Sequence, residues 1–189
     1  MIEFTLTYRG TLRPNGDPQH KHDLRRQFHT QLKRLWEVRP KLAPGEMSRI
    51  IPDVRRPEFH IPVRDFSFLP VISEAGFNVA EVDVELLQSE CAGSIITMTG
   101  DIDNRLKTLF DAFKIPFRPG ELPTEAKPCE EEFPFFCVLQ DDHLITRVSV
   151  QTRRRLDVDR ESNEVILIVH VRGCHVSEFG LRLERQPLW

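Results

Sequence analysis

The stretch Asp101-Ile102-Asp103-Asn104-Arg105-Leu106-Lys107-Thr108-Leu109-Phe110-Asp111-Ala112-Phe113 carries two periodicities at once. Leu106, Leu109, Phe110 and Phe113 fall at i, i+3, i+4 and i+7, the apolar stripe of an amphipathic helix. Asp103, Lys107 and Asp111 fall at i, i+4 and i+8 and form a polar row on another face. Asp101 stands just before the helix, after Gly100, which ends the strand predicted over Ser94 to Thr99. Two carboxylates at i and i+2 across a strand-to-helix junction can point at one site, because the first is still extended and the second is already helical. Hard divalent cations such as Mg²⁺ take oxygen ligands and keep several waters, so two or three aspartates suit them. A lysine one turn away supplies a fixed positive charge for a phosphate. The same spacing also fits an N-capping aspartate beside surface ion pairs worth roughly 0.2–0.5 kcal/mol each.

Working outward, Ile2, Phe4 and Leu6 alternate with Glu3, Thr5 and Thr7 as an opening strand, followed by a polar loop containing Pro14-Asn15-Gly16-Asp17-Pro18. Asp23 is the expected N-cap of a helix with Leu24, Phe28, Leu32, Leu35 and Trp36 on its apolar face, stopping before Pro40. Val82, Val84 and Leu86 alternate in a strand hairpinned with Ser94 to Thr99; Leu144 to Val150 and Val165 to Val171 read as a closing hairpin. Residues 39–76, with six prolines, and residues 115–134, with five, read as irregular insertions. The expectation is a single α+β domain over residues 1–189: a mixed sheet of about four to five strands with two main helices.

At 189 residues the chain is long enough for a sizeable core without disulfides or metals. A mean hydropathy of -0.35 and the lack of any long apolar run exclude a helical membrane protein. Cys91, Cys129, Cys137 and Cys174 show neither a CxxC pair nor zinc spacing, and the opening residues lack the regions of a signal peptide. A reduced, cytoplasmic protein is expected. The formal charge of -3 conceals an uneven distribution: residues 1–41 hold nine Lys/Arg and four Asp/Glu, a net +5, whereas residues 73–142 hold five and fifteen, a net −10. A near-neutral total therefore excludes only a uniformly basic nucleic-acid binder.

The stretch Asp101 to Lys107, followed by Phe110-Asp111-Ala112-Phe113, resembles the signature of the RusA family of Holliday-junction resolvases: D-x-D-N-x-x-K, an apolar helix with F-D-A-L, then a D-D pair leading into a strand. Here that pair is Asp141-Asp142, ahead of Leu144 to Val150. The resemblance implies a Mg²⁺-dependent (or Mn²⁺-dependent) endodeoxyribonuclease for branched DNA, working as a homodimer because a four-way junction needs two symmetric nicks. It implies that Asp101, Asp103 and Asp142 bind the metal, that Lys107 stabilises the attacked phosphate or the attacking water, and that Asn104, Asp111 and Asp141 support them. The insertion over residues 115–134 lengthens the path to the D-D pair, leaving Asp141 or the run Glu130-Glu131-Glu132 as other sources of a third ligand. Competing readings are a nucleic-acid-binding module that lost catalysis and a protein-interaction domain docking through its Pro-rich segments.

Arg9, Arg13 and Lys21 near the amino terminus and the cluster Arg153-Arg154-Arg155 are the candidate contacts to a DNA backbone. His143, next to Asp142, either meets phosphate or faces solvent.

Overall fold

A computed structural model describes residues 2–38, 59–89, 102–159 and 162–176. The chain is α+β, with two α-helices and two mixed sheets among the described residues. The larger sheet has four strands: β1 (Ile2–Thr11), β4 (Asn78–Gln88), β6 (Ile145–Arg154) and β7 (Glu164–His175), in the order β1-β7-β4-β6. Strand β7 runs antiparallel to both β1 and β4, and β6 lies parallel to β4 on the far side. The closing hairpin is therefore not formed. Strand β4 is inserted between β6 and β7, where Val82 and Val84 are buried beside Val169 and Val171. An amphipathic β6 buries too little to hold a central place; its residues are mostly exposed.

A second sheet comprises β2 (Ile61–Val63), β3 (Phe66–Ile72) and β5 (Phe135–Leu139), with β3 antiparallel to β2 and parallel to β5. Part of the expected irregular insertion is thus ordered strand. Pro70 fits because β2 pairs only with Phe66 to Phe68, so at Pro70 one edge of β3 has no strand among the described residues to receive an N–H. Residues 39–58 of that insertion, and the expected strand Ser94 to Thr99, lie outside the described residues.

Helix α1 (Pro18–Val38) starts earlier than expected. Its cap is Asp17, whose Oδ1 accepts the His20 N–H at 2.7 Å, with Pro18 at the first helical position, where its missing N–H costs nothing. Leu24, Phe28 and Leu32 are buried as predicted, and Leu35 and Trp36 pack partly buried against the same core. Gln31 clamps α1 to β1, donating to Thr7 O and accepting from Thr7 N, while His29 Nδ1 accepts the Phe136 N–H of β5. Helix α2 (Ile102–Phe113) buries Leu109, Ala112 and Phe113. Among the described residues no helix is long and apolar enough to cross a membrane. Cys129, Cys137 and Cys174 are free thiols.

Candidate active site

The carboxyl end of α2 is stitched to the end of β5. Lys114 forms an isolated parallel bridge with Leu139, the Ile115 N–H reaches Gln140 O, and the Gln140 N–H reaches Ile72 O at the end of β3. This brings the polar row of α2 alongside the Asp141-Asp142 pair despite the 27 residues between Lys114 and Asp142. Between them is an open cleft of about 590 Å³, lined by Asp103, Lys107, Asp111, Lys114, Asp141 and Asp142 among others.

The charges in the cleft are linked. Asp111 is held between Lys21 Nζ at 2.8 Å, reaching across from α1, and Lys114 Nζ at 3.6 Å. Lys114 also lies 3.4 Å from Asp142. Burial alone lowers the pKa of Lys114, but the carboxylates of Asp142, Asp111 and Glu121 outweigh it, so the ammonium is held more firmly charged than usual. Asp141 caps a short 3-10 turn over Asp142–Leu144, accepting from His143 N, and also contacts His143 Nδ1 at 3.1 Å. Burial pushes its carboxyl up; the side-chain interaction within the Asp141-Asp142 pair, the hydrogen bonds from His143 and the field of Lys114 prevail and hold it at about 2. His143 is exposed and bridges Asp141 and Glu74, whose carboxylates raise its pKa. Asp103 is exposed; its Oδ1 accepts the Asn104 N–H at 2.7 Å. Lys107 is exposed and makes no ion pair among the described residues.

Several expected residues lie elsewhere or do other work. Asp101 lies outside the described residues. Asn104 does not line the cleft; its carbonyl accepts the Asn15 N–H and the Thr108 hydroxyl, docking the loop before α1 onto α2. Lys21 is committed to Asp111. Arg155 corrects an expectation: its side chain is 1% exposed, locked between Asp157 and Glu164, and so cannot reach a phosphate backbone. Arg9 pairs with Glu164, Arg13 with Asp17 and Arg153 with Glu85; these three and exposed Arg154 are outside the cleft lining. Glu132 is buried against Arg26 and the Cys129 N–H, and no residue of the glutamate run lines the cleft. Sequence reading missed Lys114, Phe117, Arg118 and Glu121, which line it. Lys114 alone left a signal, standing three residues beyond Asp111 on the same helix side.

Carboxylate oxygens from two separate chain segments are the donor class a hard divalent cation takes. Among the described residues no group of three His, Cys, Asp or Glu is gathered tightly enough to hold a metal ion; a third donor from Asp101 would come from beyond them. Compared with known proteins, the chain matches no family model, no curated protein and no solved structure.

Proposed function

We propose that this chain is a metal-dependent, structure-selective endodeoxyribonuclease acting on branched DNA, working as a homodimer in the cytoplasm. The observation that carries the reading is the shared cleft: Asp103 and Lys107 on α2 face the same space as Asp141 and Asp142, from a segment far away in sequence. Asp103 and Asp142, with Asp101, are the residues that would hold Mg²⁺ or Mn²⁺. When bound, the ion would make its water a better nucleophile and neutralise charge developing on the phosphodiester. Lys107, exposed and without an ion pair among the described residues, is the cation suited to a phosphate oxygen. Lys114 steadies Asp142, and Asp111 holds Lys114 and Lys21 in place.

The test is incubation with labelled four-way junction, fork, duplex and single-stranded DNA, with and without Mg²⁺, for the natural chain and Asp103→Asn. Metal-dependent cutting of branched DNA that the substitution abolishes is expected. Equal cutting by both proteins overturns the assignment; binding without cutting by either favours a module that holds DNA only. Lys107→Ala should lower turnover more than affinity, because the charge it meets grows in the transition state.

A further inference from the structure

Beyond the carboxylates and lysines, the cleft has an aromatic rim. Among the described residues six large apolar side chains are exposed, Val38, Phe77, Phe117, Phe133, Val148 and Leu156, and of these only Phe117 lines the cleft. One exposed phenylalanine is ordinary by itself. Its presentation here is not. Ile115 is 0% exposed and Leu122 is 6% exposed, both in a cluster with Phe66, Phe68 and Phe135, so the chain is pinned on either side of a short tip.

The tip is a built turn. Arg118-Pro119-Gly120-Glu121 places Pro at the second position and Gly120 at φ +87° at the third, the requirement of a type II turn. It is braced twice, by Glu121 N–H to Arg118 O at 3.1 Å and by Arg118 N–H to Glu121 Oε2 at 3.0 Å. Phe117, 46% exposed, is therefore held out by a rigid support and not by a loose loop. Arg118 is exposed, and its guanidinium makes no ion pair among the described residues. An aromatic face beside a planar cation, in the same cleft as Lys107 and Lys114, has the composition of a base-stacking platform next to a phosphate site.

We infer that Phe117, assisted by Arg118, forms a stacking subsite for an unpaired nucleobase of the DNA strand whose phosphate lies at Lys107. This rests on the nuclease reading and deepens it, since it selects DNA with unstacked bases, as at a branch point, over continuous duplex. Every base has a π-face, so the subsite demands an unpaired base and not a given sequence.

The test uses the full chain with Ca²⁺ replacing Mg²⁺, and forked DNA carrying 2-aminopurine either unpaired at the branch or paired within an arm. Stacking predicts quenching of the unpaired probe on binding. Phe117→Ala should abolish the quenching and weaken affinity for the fork by roughly 5- to 100-fold, with less than about threefold change for duplex. Phe117→Trp should retain both signals. Phe117→Leu should behave like alanine, because it keeps apolar bulk without a π-face; full rescue by leucine overturns the subsite. Unaltered thermal unfolding confirms that an exposed position was changed without loss of fold. If Phe117→Ala binds and quenches like the natural chain while Asp103→Asn loses cutting, the subsite fails and the nuclease reading stands. If nothing is cut but unpaired DNA binds in a Phe117-dependent way, the reverse holds; no binding to any DNA overturns both.

Discussion

Replacing Arg25 should loosen the end of α2 that carries Asp111 and leads into Lys114. Arg25 is 1% exposed, yet has no carboxylate at ion-pair distance among the described residues. Its Nη2 donates to Asp111 O at 2.8 Å and its Nε to Lys114 O at 3.4 Å, at the carboxyl end of α2, where carbonyls lack helical partners. Burial pulls its pKa down, to about 10, so it stays charged at neutral pH. The charge-assisted bond to Asp111 O contributes about 1.5–3 kcal/mol and the longer contact roughly 0.5. The helix-end position contributes about 0.5–1 kcal/mol more. Against this stands the cost of desolvating the guanidinium, on the order of 2 kcal/mol after relaxation. Arg25→Met, which keeps the packed stem, should then cost about 1–2 kcal/mol. Arg25→Ala adds a cavity and should cost about 3–4 kcal/mol. For a chain of this size the alanine loss is roughly 6–16 °C in Tm. Urea unfolding of both variants measures the free energies, and hydrogen exchange should show the amides of residues 111–115 opening faster than those of β7. A methionine variant as stable as the natural chain would refute the capping argument, because the guanidinium would then be a net burden.

Thr108→Val should cost about 1–3 kcal/mol in urea unfolding, since the buried hydroxyl accepts the Gly16 N–H at 2.9 Å and valine leaves that donor unpaired; Thr108→Ser should recover most of the loss. Stability should also fall as pH drops from about 6.5 toward 4, through His22. Burial first, then Arg25 and Arg26, hold its pKa at about 4, below the roughly 6.5 of an unfolded histidine. The unfolded chain thus takes up the proton first, and stability present at neutral pH is lost on acidification. His22 Nε2 has no hydrogen-bond partner among the described residues and the ring packs against Phe66 and Phe135, so His22→Phe should flatten the decline between urea midpoints at pH 7 and pH 5, His29 leaving a residual slope of the same sign. An unchanged slope would show that His22 is not its source.

The local signals in the sequence were sufficient wherever one element's own periodicity decided the outcome. The alternation of Ile2, Phe4 and Leu6, the apolar stripe of α1 and the polar row Asp103, Lys107 and Asp111 all appear on the faces they predict. The cap of α1 was misplaced because Asp17 and Asp23 are both good N-caps, and only the Pro18 junction and the His20 N–H separate them. Strand β3 was hidden by Pro70, which reads as a breaker until the unpaired edge beside it is known. Arg155 and Lys21 look like any surface cation in sequence; the carboxylates that claim them, Asp157, Glu164 and Asp111, are settled by packing.

By itself the sequence determined the α+β class, the helix carrying Asp103 and Lys107, and the row of charges along that helix, because these follow from residue type and short-range spacing. The tertiary structure alone decided that β4 separates β6 from β7, since strand order depends on which long-range pairings bury the most apolar surface. It also decided that Lys114 and Asp142 meet. That meeting depends on the bridge between Lys114 and Leu139, a backbone contact with no signature in the side chains of either segment.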